Sequence, residues 1–332
     1  MASLYDALLL EGLERFGGDA VPYLCEDIPF SFATLVSRCE QRAVELDSLG
    51  IQKGDAVVLA LPDCIELITL FFSLIKLGAK PLCISELNRK ASMLEYARSA
   101  AAAALFVDGG NAELLAEMEG EDPGLTLFAV HTDLCLNQPP SCIRRTEEPF
   151  GRTVEDGAVA YLTATSGSNG KPKIIPNGHE QVLRAMRHLP VDTLHLTEHD
   201  VLLCASKISY TYGLSNNLLT PVVTGAAALL YRRRTNLQLL YEQSQKHAPT
   251  AFFAVPSIFQ SILADGTGAH ALNTARMRMF FSSGDALPKA VAEEWRARFG
   301  RGIIDAVGCS EACISYLINW NETKGKEGSA GR

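Results

Sequence analysis

Residues Thr163-Ala-Thr-Ser-Gly-Ser-Asn-Gly-Lys-Pro-Lys173 form the most informative stretch of the chain. An apolar run at 159–162 precedes them and predicts a short buried strand. The stretch then places hydroxyl and amide side chains around Gly167 and Gly170, and it ends in two lysines. Small residues let a backbone approach a ligand closely, and N–H groups, hydroxyls and lysine can surround phosphate oxygens. These residues therefore indicate a phosphate-binding loop after a strand.

The composition of this stretch also fits an ordinary surface turn, because Gly, Ser, Asn and Pro are common loop residues. A Walker-type P-loop is excluded, since it needs four residues between its glycines and a Ser or Thr after its lysine. Here Ser168 and Asn169 alone separate the glycines, and Pro172 follows Lys171. Composition by itself leaves a phosphate loop and a plain turn open.

The order of residues 165–173 resembles the signature loop of the adenylate-forming superfamily, which includes acyl-CoA synthetases, peptide-synthetase adenylation domains and luciferases. The family pattern is a Ser/Thr/Gly-rich loop followed by Gly, any residue, Pro and Lys. Asn169 replaces the usual Thr or Ser and Ile174 a common Gly, so we expect altered loop detail with function retained. The resemblance implies that the loop holds the β- and γ-phosphates of ATP and that Lys173 is also catalytic. It assigns the nucleotide to Thr165, Ser166, Gly167, Ser168, Asn169, Gly170, Lys171 and Lys173.

His179 follows Lys173 where the family often has a histidine, and the resemblance makes it a candidate for the acid site. A histidine beside the predicted helix at 181–188 is also typical of a surface residue at a helix start. Both interpretations stay open.

Length and composition limit the class of protein. The 332 residues allow one large domain or two of ordinary size, and a hydrophobic content of 47% can supply a sizeable core. A net charge of −8 offers no basic surface for nucleic acid. The sequence has neither a run of about 18 apolar residues nor the pattern of a signal peptide. The 9 cysteines are irregularly spaced, which is typical of reduced, buried thiols in a cytoplasmic protein without a zinc site.

Strands and helices alternate along the chain, which is typical of a parallel sheet covered on both faces. Ser31 is a predicted cap within residues 3–50, which are predicted to be helical. A helix is also predicted over 91–104, and 108–157 is predicted to be a variable connection. Strands are predicted at 56–60, 81–85, 105–107, 200–205, 250–256 and 277–281. With the resemblance, we predict an α/β fold of two stacked lobes, roughly 1–180 and 181–332, whose mostly parallel sheets are flanked by helices.

Residues 209–216, Ser-Tyr-Thr-Tyr-Gly-Leu-Ser-Asn, place aromatic side chains beside small and polar ones. Such a stretch can line a flat apolar pocket, and it can equally pack into the core at a helix start. It resembles the aromatic segment of benzoate-CoA ligase-like enzymes, where a Tyr-Gly-Leu run borders the acid. The resemblance assigns substrate contacts to Tyr210, Thr211, Tyr212 and Gly213.

Residues 207–217 contain no carboxylate. Adenylation domains for α-amino acids usually have an aspartate in this region, which pairs with the substrate ammonium. A buried ammonium without a partner is costly. We therefore expect an acid without an α-amino group, and the resemblance favours an aryl acid.

Two stretches after predicted strands resemble further walls of the family's site. Residues Val255 and Pro256 match the segment that borders the acid. Residues 282–288, Ser-Ser-Gly-Asp-Ala-Leu-Pro, resemble the Gly-Glu-Ala/Pro-Leu motif with Asp285 in place of Glu, although Asp285 also fits a helix cap. The carboxyl ends of parallel strands are where such sheets bind ligands. The resemblance assigns adenine and acyl contacts to Ser283, Gly284, Asp285 and Ala286, with Ser283 touching both.

Residues 302–312, Gly-Ile-Ile-Asp-Ala-Val-Gly-Cys-Ser-Glu-Ala, resemble the family's strand-plus-loop motif ending in Gly-x-Thr-Glu. The resemblance gives Ser310 and Glu311 catalytic roles, Ser310 at the α-phosphate and Glu311 on Mg²⁺; a hard cation suits a carboxylate. Without it, Glu311 is a solvated carboxylate at a helix start. Since Val307 replaces a frequent Tyr, stacking on adenine is not expected. The nucleotide contacts are Asp305, Ala306, Val307, Gly308 and Ser310, with Gly308 also at the substrate.

Together these matches imply ATP-dependent activation of a small carboxylic acid to acyl-AMP, with release of pyrophosphate, followed by thioester formation with CoA. The alternatives are transfer to the phosphopantetheine thiol of a carrier protein and a catalytically silent module that binds an acyl-adenylate. The implied cofactors are ATP and Mg²⁺, with CoA or phosphopantetheine as acceptor. The family's ribose-binding Asp, hinge and C-terminal lid with its lysine have no match here, so we expect a truncated N-terminal domain with poor turnover.

Overall fold

The computed structural model describes residues 2–110, 112–118, 122, 124–130, 132, 157–166, 171–266 and 271–319. Its strands are β1 (Tyr23–Cys25), β2 (Ile28–Phe30), β3 (Ala56–Ala60), β4 (Lys80–Cys83), β5 (Ala102–Asp108), β6 (Thr126–Val130), β7 (Val159–Ser166), β8 (Pro172–Gly178), β9 (Val201–Cys204), β10 (Ala227–Leu230), β11 (Ala251–Ala254), β12 (Met279–Ser282), β13 (Ile303–Gly308) and β14 (Ser315–Asn319). Its helices are α1 (Glu11–Phe16), α2 (Phe32–Ser48), α3 (Ile65–Leu77), α4 (Lys90–Ser99), α5 (Ala112–Met118), α6 (His179–Met186), α7 (Thr211–Gly213), α8 (Thr220–Thr224), α9 (Leu237–His247), α10 (Pro256–Ala264) and α11 (Lys289–Phe299). Wider π-helical turns at Asp6–Leu10, Arg187–Thr193 and Leu214–Leu219 adjoin α1, α6 and α7.

The chain divides into two compact units. The first comprises Met1–Val21, Ile28–Arg184 and Leu230–Arg232, and the second comprises Pro22–Asp27, Ala185–Leu229 and Arg233–Arg332. Because both units contain distant segments, each depends on contacts that only the folded chain creates.

The first unit is built on a sheet with strand order β6-β5-β3-β4-β7-β8 within the described residues. Its strands are parallel except β8, which pairs with β7 as an antiparallel hairpin. Apolar side chains of β3 and β5, with Met93 and Leu94 of α4, form the core on one face. The alternation of strand and helix predicted from the sequence is confirmed here.

Helices α2 and α3 pack together through buried polar contacts as well as apolar ones. Ser31 caps α2 as predicted, since its hydroxyl accepts from the Thr34 N–H at 3.3 Å. Glu66, in the first turn of α3, is buried and pairs with Arg42 and, at 3.1 Å, with Arg38. Ser73 of α3 is also fully buried, and its hydroxyl donates to the carbonyls of Cys39 and Thr69.

The second unit is built on a sheet whose strands, within its described residues, follow the order β14-β13-β12-β11-β9-β10-β1. Strands β9 to β13 are parallel, and β14 returns antiparallel beside β13. Its core includes Leu202, Phe253, Phe281 and Ile304. Because β11, β12 and β13 are parallel neighbours, the segments after their carboxyl ends meet at one edge of the sheet.

The main error of the secondary-structure prediction lies near the N-terminus. Residues 3–50 are not helical throughout, because β1 and β2 interrupt them with a turn at Glu26 and Asp27, whose φ angles are 47° and 69°. Helix α4 ends at Ser99, before the predicted end at residue 104. Ala101 there adopts φ of 48°, and Ala102 already belongs to β5. Pairing with β3 overrides the helix propensity of the alanine run.

The structure also bears on the predictions about membrane segments and cysteines. Among the residues that the structure describes, no helix has both the length and the apolar character needed to cross a bilayer. The described cysteines are free thiols, and all of them except Cys309 are buried.

Candidate active site

The hairpin of β7 and β8 carries the predicted phosphate loop in the first unit. Thr165 pairs with Lys173 across the hairpin, and Ser166 pairs with Pro172. The side chains of Lys171 and Lys173 are exposed, and Thr165 is half-buried. The predicted contacts Gly167, Ser168, Asn169 and Gly170 lie outside the described residues. The strand predicted before the loop is confirmed, and it continues to Ser166.

His179 begins α6 and is buried, with 3% of its surface exposed. Its Nδ1 accepts a hydrogen bond from the Leu4 N–H at 2.9 Å, so the neutral ring carries its proton on Nε2. Burial lowers the pKa of His179, partly opposed by the negative charge of Asp6. His179 does begin a helix, but it is buried, so the interpretation of it as a surface residue is wrong. The substrate contact of His179 stays a prediction.

The segment after β12 lies beside the segment after β11 in the second unit. Gly284, Asp285 and Ala286 are exposed, and Gly284 has φ of +104°. A Cβ on Gly284 would lie 3.3 Å from Cγ1 of Val255, so the predicted adenine segment and acid wall are neighbours. Pro256 is buried at the start of α10.

Ser283 is buried at the end of β12, where its hydroxyl lies 3.0 Å from that of Ser315. Ser315 in turn pairs with Gly308 in the β13–β14 ladder, next to a bulge at Val307 and Gly308. A Cβ on Gly308 would lie 2.9 Å from the Ile314 carbonyl oxygen, so this crossing requires glycine. Ser315 links both predicted segments and was missed by the sequence analysis, because its role depends on the strand return.

A short 3₁₀ turn, Ser310–Ala312, follows β13 and carries Ser310 and Glu311. The Ala312 N–H donates to the Cys309 carbonyl and the Cys313 N–H to the Ser310 carbonyl, both at 3.2 Å. Cys313 ends the turn with φ of 57°. Ser310 is half-buried, and Glu311 is exposed. We call residues 309–313 the Glu311 turn.

The aromatic segment divides into a half-buried part, at Tyr212, and an exposed part, at Tyr210. The Tyr212 hydroxyl donates to the Phe281 carbonyl at 2.9 Å, and burial raises the pKa of Tyr212. Tyr210 is 64% exposed. The helix-start interpretation therefore describes Tyr212, while Tyr210 stays available for the predicted pocket. A Cβ on Gly213 would lie 1.9 Å from the Lys207 carbonyl oxygen, so close packing demands glycine there.

The Thr211 hydroxyl lies 2.8 Å from that of Ser310. Thr211 is the residue predicted to border the acid, and Ser310 is the residue predicted to contact the α-phosphate. The tertiary structure thus brings two independently predicted groups into direct hydrogen bonding.

Asp305 of β13 has one carboxylate oxygen without a partner. Burial raises its pKa, although N–H groups of Leu287 and Ala306 donate to the carboxylate and partly oppose that effect. Oδ1 is buried and finds no hydrogen-bond partner among the described residues. An unsatisfied buried acceptor fits a ligand that donates N–H groups, such as an aminopurine. Ala306 is buried, whereas Val307 is exposed.

Glu311 fits a magnesium ion bound together with a nucleotide. Among the described residues, no group of three or more His, Cys, Asp and Glu side chains could hold a metal ion. Mg²⁺ is usually held by one or two carboxylates plus substrate phosphates. The exposed carboxylate of Glu311, beside the Ser310 hydroxyl in sequence, suits that mode of binding.

The predicted site residues are divided between the two units. Residues 165–179 belong to the first unit, and residues 210–213, 255–256, 283–286 and 305–311 belong to the second. Within the second unit, they lie after β11 and β12, within β13 and the turn that follows it, or at α7 and the residue before it.

Comparison with known proteins identifies the family of this chain. Residues 11–332 match the model of a family described as AMP-binding enzyme. Benzoate–CoA ligase from Thauera aromatica is 29% identical over 317 residues, covering 95% of this chain and 60% of that protein. Anthranilate–CoA ligase from Pseudomonas aeruginosa is 30% identical over 274 residues, covering 81% of this chain and 51% of that protein. The chain thus spans between half and two thirds of the length of these relatives.

The fold is also that of solved adenylate-forming enzymes. A benzoate CoA ligase from Burkholderia xenovorans LB400 superposes with a TM-score of 0.85 at 20% identity, covering 100% of this chain and 66% of that one. The anthranilate CoA ligase AuaEII, solved with anthranoyl-AMP, gives 0.86 at 24% identity, covering 99% and 64%. The predicted α/β fold with mostly parallel sheets is confirmed.

Proposed function

Because this chain belongs to the AMP-binding enzyme family, we propose that the intact protein activates an aryl carboxylic acid with ATP and passes the acyl group to CoA. The hydrogen bond of 2.8 Å between Thr211 and Ser310 carries this proposal. It joins the segment assigned to the acid with the residue assigned to the α-phosphate. The first reaction requires those two substrate groups to meet.

In the first step, an oxygen of the substrate carboxylate attacks the α-phosphorus of ATP. The bond from that phosphorus to the bridging oxygen breaks, which gives acyl-AMP and pyrophosphate. No side-chain nucleophile is needed, since orientation and charge stabilisation supply the catalysis. Residues 165–173 would hold the β- and γ-phosphates, with Lys173 adding a positive charge. Ser310 would donate to an α-phosphate oxygen.

The base and the metal are assigned to the second unit. The orphaned Oδ1 of Asp305 would accept from the adenine amino group, and the exposed backbone at 284–286 would border the base. Glu311 would hold Mg²⁺, which when bound neutralises negative charge on the phosphates.

The acid is proposed to be aromatic and to lack an α-amino group. Residues 207–217 offer no carboxylate to an ammonium group, and an unpaired buried ammonium would be costly. The two relatives described above are named for benzoate and anthranilate, which are aryl acids. Tyr210, Thr211 and Gly213, with Val255 and Pro256, are the proposed walls, and Tyr212 would support them through its bond to Phe281.

In the second step, a thiol attacks the acyl carbonyl and AMP leaves. The names of the relatives favour CoA as the thiol. A phosphopantetheine thiol on a carrier protein would undergo the same chemistry. Offering CoA and a phosphopantetheinylated carrier protein in parallel assays separates the two acceptors.

The deciding experiment is acid-dependent exchange of pyrophosphate into ATP by the intact protein, screened over benzoates, other aryl acids, fatty acids and amino acids. We expect exchange with aryl acids that is lost in Glu311→Ala and Lys173→Ala. Exchange with amino acids alone would contradict the assigned acid. If no acid supports exchange but one binds tightly by calorimetry, the protein is a silent binding module and the proposed enzyme function fails.

A further inference from the structure

Two hydroxyls one helical turn apart hold the two ends of the Glu311 turn. Thr211 and Ser215 are four residues apart in the helical segment that begins at Thr211, so their side chains lie on one face. Thr211 bonds to Ser310, where the turn begins, at 2.8 Å. Ser215 donates to the carbonyl of Cys313, where the turn ends, at 2.7 Å. We call Thr211 and Ser215 the hydroxyl pair.

Ser215 is buried, and its hydroxyl faces two carbonyl oxygens. Its surface is 3% exposed, and its hydroxyl lies 2.9 Å from the Thr211 carbonyl within its own helix. One hydroxyl hydrogen is thus shared between a carbonyl four residues back and one on the turn. A buried carbonyl that loses its donor is costly. The bond to Cys313 therefore has a restraining effect on the turn.

The backbone hydrogen bonds within the turn are long. Both measure 3.2 Å, at the weak end of the normal range. Cys309 and Glu311 are exposed, and Cys313 adopts φ of 57°, which a non-glycine residue rarely adopts. The hydroxyl pair adds two shorter hydrogen bonds from outside the turn.

We propose that Ser215 is a positioning residue which, together with Thr211, fixes the Glu311 turn relative to the acid segment. This role depends on the proposed function, in which Ser310 and Glu311 meet the phosphates and Mg²⁺. Ser215 is itself buried and bonds to Thr211 and Cys313, so its proposed effect on the site passes through these neighbours. Its loss should impair turnover and the use of Mg²⁺ more than the binding of the acid.

Ser73 provides a matched control in the first unit. It is a fully buried helix serine whose hydroxyl bonds to the carbonyl four residues back, Thr69, and to a distant carbonyl, that of Cys39. Ser73 is not among the predicted site residues. Replacing either serine by alanine removes the same chemical group from the same kind of environment.

The first arm of the experiment is pyrophosphate exchange with benzoate by Ser215→Ala, Ser73→Ala and Ser215→Thr. We expect Ser215→Ala to lower kcat about tenfold, the effect of losing one hydrogen bond. The Mg²⁺ concentration for half-maximal rate should rise, and KM for benzoate should change less than about twofold. Ser73→Ala should keep wild-type kinetics, and Ser215→Thr should recover most of the rate.

The second arm is amide hydrogen exchange of residues 309–314, which requires no turnover. The Ala312 and Cys313 amides should exchange faster in Ser215→Ala and in Thr211→Val, and at the wild-type rate in Ser73→Ala. Unchanged protection in Ser215→Ala would overturn the positioning role, as would kinetics identical to those of Ser73→Ala. If the intact wild-type protein shows no exchange with any acid, the proposed function fails instead. Hydrogen exchange would then still decide whether the hydroxyl pair restrains the turn.

Discussion

Ser73 and Ser215 make the same two kinds of hydrogen bond in two different regions. Ser73 in α3 donates to Thr69 at 2.6 Å and reaches Cys39 of α2 at 3.0 Å, so it joins two regular helices. Ser215 donates to Thr211 and reaches Cys313 on an irregular turn beside the predicted site. A serine hydroxyl that bonds to the carbonyl four residues back changes the stability of its own helix only slightly. The distant acceptor decides whether such a bond supports the fold or the site.

The contrast extends to the charged groups of the two regions. Between α2 and α3, Glu66 is buried and paired with two arginines. On the Glu311 turn the carboxylate of Glu311 is exposed. Substitutions between α2 and α3 should therefore lower the free energy of unfolding and leave catalytic activity unchanged. Substitutions on the Glu311 turn should lower catalytic activity and leave the free energy of unfolding unchanged.

Gly213→Ala should produce the largest effect and test whether the acid segment is as tightly packed as the helix pair. A Cβ there would overlap the Lys207 carbonyl oxygen at 1.9 Å, although φ at this position is an ordinary −68°. We expect a loss of about 4 kcal/mol in the free energy of unfolding, measured by urea denaturation. Gly266→Ala, where a Cβ meets nothing within 4 Å, is the control and should change stability by about 0.5 kcal/mol or less.

Glu66→Ala tests the stabilising role of the helix pair. Removing the buried carboxylate leaves Arg38 and Arg42 without their shared partner, which should cost about 3 kcal/mol of unfolding free energy. Glu40→Ala removes a carboxylate with 54% side-chain exposure from its pair with Lys76 and should cost about 0.5 kcal/mol. Equal losses of unfolding free energy in the two variants would show that the buried Glu66 pairs stabilise the fold no more than the exposed Glu40 pair does.

Glu311→Ala tests the opposite half of the contrast. Pyrophosphate exchange should fall about a hundredfold, the usual result of removing one electrostatic contact to a reacting centre. The melting temperature should stay near that of the wild type, because the side chain is exposed. Glu293→Ala, from an exposed pair with Lys289 on α11, should affect neither property. A Glu311 variant with full activity but lower stability would show that Glu311 supports the fold and not the reaction.

His179 should make stability depend on pH, with the smallest effect of the four. Its folded pKa is lowered by burial, so the unfolded chain binds a proton that the folded chain excludes. The contribution of His179 to the free energy of unfolding should be fully present above the ordinary histidine pKa of about 6.5. It should be lost as the pH drops below that value. The slope cannot exceed about 1.4 kcal/mol per pH unit for one proton.

The control for this prediction is His179→Asn, whose side-chain oxygen can still accept from the Leu4 N–H. Urea denaturation from pH 8 to pH 5 should show a shallower decline for the variant. An identical decline in both proteins would assign the pH dependence to other groups.

Local sequence predicted much of the fold because local rules decide those elements. The apolar run 56–60 and the Ser31 cap both became the predicted structures. The extended segments 23–25 and 28–30 were missed, because such short strands lack a periodicity of their own. Pairing with distant partners decides them, as the bond from Ala228 N–H to the Pro22 carbonyl shows.

The sequence by itself determined the class of fold, the order of the landmark motifs and the types of residue that they carry. Residue type is local information, so glycine, hydroxyl and carboxylate residues after predicted strands were enough to predict a phosphate-binding site there. Tertiary structure alone decided that Thr211 meets Ser310, that Ser215 meets Cys313 and that His179 is buried. Those contacts join residues 99, 98 and 175 positions apart, and no local pattern encodes a distance of that kind.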